Sequence, residues 1–383
     1  MTAVFAGASV FDGARLHSGA ALVVEGGRVA AVVPVDEAPA SAPGVERVLL
    51  GGGVIAPGFV DLQVNGGGGV MLGERPGVAE IAAICAAHGR LGTLGLLPTL
   101  ITDTPAVTQA VIAAGVAAAG VVPGFLGLHL EGPHLDPRRK GAHDPALIRP
   151  MTEDDLAVLV AAAGRLPALV VTVAPEAVTA AQVAALTAAG AVVSLGHSDC
   201  AAAEATAAFG AGARMVTHLF NAMSQLGNRE PGLVGAALEA EEVVAGLIAD
   251  GIHVAPASMR AALAAKRGAD GIFLVTDAMA VAGTDLASFA LGGREIHRRD
   301  GRLTLADGTL AGADVDFPGM IRVLVRAGVA TLPQALRMAT AAPADAIGRG
   351  DLGRLAPGGA ADFLWLDEGL ALGGVWRGGL AVA

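Results

Sequence analysis

FVDLQVNG, residues 59–66, has the alternation of a β-strand that ends in a run of glycines. Apolar side chains at positions 60, 62 and 64 alternate with polar ones, and this period of two predicts that Gln63 and Asn65 share one face at the strand's end. The stretch also belongs to the first of several short apolar runs that recur along the chain. It therefore poses two questions: what fold these runs build, and what the two carboxamides face.

Short apolar runs alternate with alanine-rich stretches that have helical character. The runs that we predict to be strands are VIAPGFVDLQV (54–64), GTLGLLPTL (92–100), FLGLHLEG (125–132), LVVTVAP (169–175), VVSLGH (192–197), MVTHLF (215–220), VVAGLIAD (243–250) and GIFLVTD (271–277). Near-continuous apolar strands are typical of a parallel sheet whose two faces are both covered. Eight regular strand–helix units favour a closed TIM-like (β/α)8 barrel of the α/β class over an open doubly wound sheet.

The two ends of the chain differ from this middle part. Residues 1–53 contain short β-runs separated by Gly-Gly and Asp-Gly turns, and residues 351–383 have the same character. We therefore predict a small β-sandwich domain built from both ends of the chain and a catalytic barrel formed by residues 54–350. Residues 289–310 have the pattern of a hairpin inserted after the eighth strand.

Composition restricts the class of protein. Hydrophobic residues make up 53% of the chain and charged residues 16%, which permits a large core and argues against disorder. The net charge of −11 argues against nucleic acid or an anionic membrane as a partner. No apolar stretch is both long and free of breakers, so we expect no membrane span. With two cysteines, Cys85 and Cys200, and no signal-peptide pattern, we expect a cytoplasmic protein.

Side chains able to bind a metal or move protons recur where the predicted strands end, which is the active face of a parallel barrel. The positions are Gln63, Asn65, Glu131, His197, His218 and Asp277, with His253 soon after strand seven. One carboxylate and two imidazoles suit a borderline divalent ion such as zinc and leave a position open for water. A separate aspartate can act as general acid and base. Each residue alone has an ordinary structural explanation, but their joint occurrence at four strand ends favours a site.

Several longer motifs carry a family resemblance. They are HLEGPHLDPRRKGAHD (129–144), GHSDC (196–200), THLFNAMSQLGNREPGLVGAAL (217–238), ADGIHV (249–254) and VTDAMA (275–280). Together they resemble the N-acetylglucosamine-6-phosphate deacetylases of the amidohydrolase superfamily, and the resemblance extends over essentially the whole chain. It implies hydrolysis of the N-acetyl group of a 6-phosphorylated amino sugar, giving glucosamine 6-phosphate and acetate in amino-sugar catabolism and cell-wall sugar recycling.

The resemblance also implies roles for the reacting groups. Glu131, His197 and His218 would hold one divalent metal ion, with Zn²⁺ expected and Fe²⁺, Mn²⁺ or Cd²⁺ as alternatives. Asp277 would transfer protons to and from the reactants. His143, in the KGAH stretch, would stabilise the developing oxyanion.

The remaining implied contacts concern the sugar phosphate. His253 would bind sugar hydroxyls, and the backbone amides of Asn221 and Ala222 would bind the phosphate together with the guanidinium of Arg229. In the family this arginine reaches the site from the neighbouring subunit, so the resemblance implies a homodimer.

The first strand now acquires a functional interpretation. Many amidohydrolases carry His-x-His at the end of strand one, where the imidazoles help to hold a second metal. Gln63 and Asn65 stand at the matching positions, and neutral carboxamides are weak ligands that do not offset another divalent charge. We therefore predict that both face the site and that the chain holds a single metal ion.

Two other kinds of protein agree less well with the sequence. A dihydroorotase- or hydantoinase-like enzyme would show His-x-His and a carboxylated lysine, but neither Lys140 nor Lys266 lies at a strand end. An amidohydrolase acting on a related N-acyl sugar phosphate remains an alternative; a non-catalytic scaffold is disfavoured because the ligands and Asp277 are retained.

The sequence does not assign a role to three further polar residues. His134 follows strand three without a clear assignment. Asp314 and Asp316, in LAGADVDF (310–317), depart from the family's pattern, and carboxylates beside a bound phosphate would be unfavourable.

Overall fold

The computed structural model describes residues 2–268 and 270–382. Its strands are β1 (Thr2–Ala6), β2 (Ser9–Phe11), β3 (Leu16–His17), β4 (Ala20–Glu25), β5 (Arg28–Pro34), β6 (Val45–Leu49), β7 (Val54–Pro57), β8 (Phe59–Val64), β9 (Gly66–Gly67), β10 (Val70–Met71), β11 (Thr93–Ile101), β12 (Leu128–Glu131), β13 (Leu169–Val173), β14 (Val192–Leu195), β15 (Met215–Val216), β16 (Val244–Leu247), β17 (Ile272–Leu274), β18 (Ser288–Leu291), β19 (Arg294–Arg299), β20 (Arg302–Thr304), β21 (Leu310–Ala313), β22 (Phe363–Leu366), β23 (Leu372–Arg377) and β24 (Leu380–Ala381).

The helices of the described residues are α1 (Val78–Arg90), α2 (Pro105–Ala118), α3 (Glu153–Ala163), α4 (Ala180–Ala188), α5 (Ala202–Gly210), α6 (Gly232–Glu239), α7 (Pro256–Ala265), α8 (Phe317–Arg326), α9 (Leu332–Ala339) and α10 (Ala341–Ala346). A 3₁₀ turn spans Pro137–Arg139. Side-chain capping defines where several helices begin. Thr152 forms a capping box at the first turn of α3, and Thr179 forms one at the first turn of α4. Over the ranges described, the helices include none with the length and apolarity needed to cross a membrane.

Eight parallel strands form the barrel, in the order β8, β11, β12, β13, β14, β15, β16 and β17. The two outer strands of that order meet at their carboxyl ends, where the Asp277 N–H donates to the Gln63 carbonyl (3.0 Å) and the Asn65 N–H to the Ala278 carbonyl (2.8 Å). Every residue of β8 is buried, as expected for a strand covered on both faces. The predicted α/β fold with a TIM-like barrel is confirmed.

Three barrel strands end earlier than the sequence pattern predicts. The pattern extends them through His197, His218 and Asp277, whereas the structure ends them two or three residues before each of these. The physical reason is a left-handed backbone, with φ of 47°, 30° and 50° at the three residues. Such a φ breaks extended conformation, so each side chain lies on a turn just above the barrel.

The interior of the barrel contains a buried histidine, as the sequence predicts for His129. Its Nδ1–H donates to the Leu62 carbonyl (3.0 Å), and its Nε2 accepts from the Thr172 hydroxyl (2.7 Å). Burial lowers the pKa of His129 to about 4, so the ring is neutral near pH 7. His129, in β12, therefore links β8 and β13 below the cavity.

Both ends of the chain contribute to the appended β-structure. One sheet has the order β5–β4–β1–β6, and a second has the order β24–β23–β22–β7–β2–β3. Their contact includes Phe5, whose ring centroid lies 4.8 Å from Phe363 and 5.3 Å from Trp376. Strand β7 pairs with β2 and β22, so residues 54–57 join this terminal sheet and the barrel begins at β8. The division into domains at 53/54 and 350/351 stays a prediction.

The segment after the eighth barrel strand is larger than predicted. Instead of a hairpin over 289–310, strands β18–β21 form a four-stranded antiparallel sheet. Its last strand returns to the barrel through a bridge between Ala313 and Ala278. This return places Thr309, Leu310 and Gly312 at a cavity above the barrel.

Candidate metal centre and active site

A cavity of about 370 Å³ opens at the carboxyl ends of the barrel strands. The predicted site residues that line it are Asn65, Glu131, His143, His197, His218, Asn221, Ala222, His253 and Asp277. Gln63 touches the same cluster through its side chain. Arg229 is exposed and does not line the cavity of its own chain. Arg138 and Arg139 do line it, and the sequence analysis did not assign them.

Three side-chain atoms form a near-equilateral triangle at the cavity floor. Glu131 Oε1 lies 3.2 Å from His197 Nε2 and 3.1 Å from His218 Nε2, and the two nitrogens are 3.0 Å apart. Ligand atoms of a tetrahedral zinc lie roughly 3.3 Å apart when each is about 2.0 Å from the ion. The triangle therefore has the size and the donor set of a divalent-metal site with one face open.

One hydrogen bond next to this triangle fixes the tautomer of His197. The His197 Nδ1–H donates to the Arg139 carbonyl (2.7 Å), which leaves the Nε2 lone pair free for a metal. Burial alone would raise the pKa of Glu131, but the adjacent imidazoles of His197 and His218 outweigh burial and hold that pKa well below its usual value. His218 Nδ1 is buried without a hydrogen-bond partner among the described residues.

His143 lies beside the triangle and is an alternative third metal ligand. Ligand atoms of His143, Glu131 and His197 lie within 4.8 Å of one another, so these three could also hold an ion. However, the Thr102 backbone N–H donates to His143 Nδ1 (3.2 Å), which places the ring proton on Nε2. Burial lowers the pKa of His143 to about 3, so this neutral tautomer persists. His143 therefore presents an N–H donor to the cavity, and His218 is the better third ligand.

Asp277 is held by the two carboxamides of strand one. Its Oδ1 accepts from Asn65 Nδ2 (2.6 Å) and from Gln63 Nε2 (3.2 Å), which also donates to Glu131 Oε1 (3.0 Å). Burial and then the charge of Glu131 raise the pKa of Asp277 to about 6. A pKa near neutrality suits a group that both accepts and returns a proton. The amide hydrogens of Gln63 bridge Glu131 and Asp277, and their partial positive charge opposes a second cation there.

Backbone strain is concentrated at the same residues. A left-handed conformation in a residue other than glycine costs on the order of 1–3 kcal/mol and persists only when its surroundings enforce it. For His197, part of the enforcement comes from the Asp136 N–H, which donates to the His197 carbonyl (2.9 Å). The cost at His197, His218 and Asp277 is consistent with a site whose geometry is maintained for function.

His253 is oriented by a residue that the sequence analysis did not use. Its Nδ1–H donates to Asp250 Oδ2 (2.6 Å), and Asp250 also accepts from the backbone N–H of Ile252 and His253 (2.8 Å each). This bond occupies Nδ1 and leaves Nε2 as the other polar atom of a ring that lines the cavity. An aspartate three residues before a histidine, with glycine between them, is the signal in the sequence that would have identified this pair.

The residues left open by the sequence lie outside this cavity. His134 is buried, and its Nδ1 is 3.1 Å from the Arg149 carbonyl. Asp314 forms an ion pair with Arg298 (2.8 Å), and Asp316 caps α8 by accepting from the Gly319 N–H (2.7 Å). Both aspartates line a separate cavity of about 320 Å³, so neither faces the metal triangle.

Comparison with known proteins agrees with this geometry. The profile of the Amidohydrolase family matches residues 54–377. The N-acetylgalactosamine-6-phosphate deacetylase of Shewanella sp. (strain ANA-3) is 41% identical over 330 residues, covering 85% of this chain and 82% of that protein. The human N-acetylglucosamine-6-phosphate deacetylase is 37% identical over 347 residues, with the same coverage of 85% and 82%.

Solved structures show the same relationship in three dimensions. The N-acetylglucosamine-6-phosphate deacetylase from Pasteurella multocida superposes with a TM-score of 0.93 at 32% identity, covering 100% of this chain and 99% of that one. A point mutant of the Mycobacterium smegmatis deacetylase, solved in complex with N-acetyl-D-glucosamine-6-phosphate, gives 0.90 at 34% identity, with coverage of 100% and 99%. The chain therefore belongs to the amidohydrolase family, within the group that contains these sugar-phosphate deacetylases.

Proposed function

We propose that this enzyme hydrolyses the N-acetyl group of N-acetylglucosamine 6-phosphate in a metal-dependent reaction, releasing glucosamine 6-phosphate and acetate. The observation that carries the proposal is the triangle of Glu131, His197 and His218 with Asp277 beside it in one buried cavity. This arrangement suits hydrolysis of an amide, and the deacetylases to which the chain is similar are named for such a reaction. We propose that the reaction serves amino-sugar catabolism and cell-wall sugar recycling.

The chain's own residues have three separate proposed roles: holding the metal ion, transferring protons and stabilising the oxyanion. Glu131, His197 and His218 would hold one divalent ion, which we propose to be zinc. A bound zinc ion polarises a carbonyl and makes water more acidic. Asp277 accepts a proton from the attacking water and returns it to the departing sugar amine. The His143 Nε2–H donates to the acetyl oxygen as negative charge develops there.

A single ion is favoured by the groups beside the triangle. The positions that carry metal-binding imidazoles in many amidohydrolases hold Gln63 and Asn65, and both use their N–H groups to bind carboxylates. A carboxamide coordinates a cation through its oxygen, and such a neutral ligand does not offset the charge of a second divalent ion. We also propose a cytoplasmic enzyme, in keeping with its two free, buried thiols.

The sugar phosphate is proposed to bind opposite these groups. His253 Nε2 would accept from a sugar hydroxyl, and the backbone amides of Asn221 and Ala222 would bind the phosphate. We propose that Arg229 of the partner subunit in a homodimer completes this phosphate site. In support, Arg229 belongs to an exposed loop that also carries Leu226, whose exposed fraction is 59%.

N-acetylgalactosamine 6-phosphate is a second candidate substrate, because the Shewanella relative at 41% identity is named for it. The decisive assay measures acetate release from both N-acetylhexosamine 6-phosphates and from free N-acetylglucosamine, using protein of known metal content. We expect efficient release from the phosphorylated glucosamine derivative. Fully metal-loaded protein that releases acetate from neither phosphate would refute the proposed function, and a strong preference for the galactosamine derivative would select the second candidate.

Arg229→Ala should lower kcat/KM on the phosphorylated sugar by about ten- to a hundredfold, because a charge-assisted contact to phosphate contributes about 1.5–3 kcal/mol. Arg229→Lys should recover only part of this loss, since lysine keeps the charge without the planar fork. Free N-acetylglucosamine serves as the control substrate, for which both variants should match the unmodified enzyme. Equal losses on both substrates would contradict a phosphate role.

Mixed dimers test whether the arginine crosses the interface. Combining Arg229→Ala subunits with Asp277→Asn subunits pairs an intact aspartate in one chain with an intact arginine from the other, so one good site per heterodimer should reappear. The control replaces the second partner with the Arg229→Ala/Asp277→Asn double variant, which should restore nothing. Heterodimers without any recovery would show that Arg229 does not act across subunits.

A further inference from the structure

The two sides of the cavity differ in chemistry. On one side Ile101, Ala142 and Met279 present apolar side chains, and they also pack together in one apolar cluster. Asn221 and His253 contribute polar groups to the rest of the lining, which also includes Ile248 and Leu310. The apolar end of a substrate therefore finds a continuous apolar surface at Ile101, Ala142 and Met279.

The apolar side lies next to the groups that would act on the acyl carbonyl. Ile101 ends β11 opposite Glu131 in β12, and the next residue, Thr102, holds His143. Met279 lies two residues beyond Asp277 and packs in the same apolar cluster as Ile101. Because both residues are anchored beside catalytic groups, the apolar surface is close to where the reacting carbonyl must lie.

The packing behind Met279 leaves it little freedom. Its exposed fraction is 3%, and Gly312, with φ of 77°, lies so close that a Cβ there would be 2.6 Å from Met279 Cγ. Met71 packs in the same cluster, and its Sδ accepts from the Ala280 N–H (3.2 Å). A side chain backed in this way acts as a wall of fixed depth.

We propose that Met279, with Ile101, forms the acyl subsite and limits the accepted acyl group to acetyl. The inference rests on the proposed deacetylase function and adds the residues that determine acyl specificity. In an N-acetylhexosamine phosphate the acetyl methyl is the distinct apolar end, whereas the rest of the molecule carries hydroxyls and phosphate. The methyl group therefore lies against Ile101 and Met279, and the sugar extends toward His253.

The expected effect follows from the cost of one methylene in an apolar pocket, which is about 10- to 200-fold in kcat/KM. The unmodified enzyme should therefore prefer N-acetyl over N-propionyl substrate by a factor in that range. Met279→Ala removes the thioether and opens space beside the methyl, so the propionyl-to-acetyl ratio of kcat/KM should rise by about tenfold. Met279→Leu, which conserves volume, should change the ratio much less.

The experiment compares the N-acetyl and N-propionyl forms of whichever hexosamine 6-phosphate the unmodified enzyme hydrolyses. Ile101→Ala provides a second variant from a different strand and should shift the ratio in the same direction. The proposal can therefore still be tested if either Met279→Ala or Ile101→Ala fails to fold. Ile248→Ala is the matched control: Ile248 lines the same cavity but packs with Phe273 and Val275 inside the barrel. It should affect both substrates equally.

The outcomes distinguish the proposed function from the acyl subsite. An unmodified, metal-loaded enzyme that hydrolyses neither N-acetylhexosamine 6-phosphate rejects the proposed function. An active enzyme whose acyl ratio stays unchanged in the folded Met279→Ala and Ile101→Ala variants, or shifts as much in Ile248→Ala, leaves the function intact and rejects the acyl subsite.

Discussion

Asp277→Asn should lose about 10²- to 10⁴-fold in kcat and keep its metal ion, because an amide cannot accept and return a proton. The geometry allows this substitution without loss of the surrounding hydrogen bonds. The amide oxygen of asparagine can still accept the hydrogen bonds that Asn65 and Gln63 now give to Asp277 Oδ1, at 2.6 and 3.2 Å. The three proposed metal ligands remain in place.

Turnover and metal content should be measured on the same preparation. Asp314→Asn is the control, since Asp314 pairs with Arg298 and lines a different cavity. It should retain turnover. Near-normal kcat in Asp277→Asn would show that Asp277 does not transfer the proton. Loss of the metal in that variant would show that Asp277 is a metal ligand.

Elemental analysis should find one metal ion in each unmodified chain and almost none in His218→Ala, with deacetylation falling to background. The substitution removes one corner of the triangle and leaves Glu131 buried with one fewer partner, which is costly for a charged group. Added zinc should raise the unfolding temperature of the unmodified protein, because a ligand that binds only the folded state stabilises it. The same addition should not stabilise His218→Ala.

His134→Gln is the matched control, because His134 is a buried histidine that bonds the Arg149 carbonyl outside the cavity. It should keep its metal and its stabilisation by zinc. Two tightly held ions per unmodified chain would contradict our interpretation of Gln63 and Asn65. Undiminished metal in His218→Ala would favour the alternative ligand set that includes His143.

The barrel was predictable because its signal is local. Continuous apolar strands separated by helical stretches indicate a parallel sheet, and parallel topology alone places Glu131 and His218 at the same edge. The period of two in FVDLQVNG likewise places Gln63 and Asn65 beside that edge. These inferences need no knowledge of which distant residues meet.

The parts that sequence did not predict depend on contacts between distant residues or on backbone detail. The tautomer of His143 is set by Thr102, which lies 41 positions away. The left-handed backbone at His197, a residue other than glycine, ends its strand early. The membership of β7 in the terminal sheet depends on β22, a partner far along the chain that no local pattern identifies.

That last pairing has a consequence for how the protein is made. Pro57 pairs with Phe363, so β7 leaves the ribosome about 300 residues before its neighbour, a delay on the order of 15–60 s at roughly 5–20 residues per second. The barrel strands emerge in the meantime, while β7 keeps an unpaired edge to which another nascent chain could add. The terminal sheet is thus completed only after the barrel strands have emerged, when residues 363–366 pair with β7 and cover its open edge.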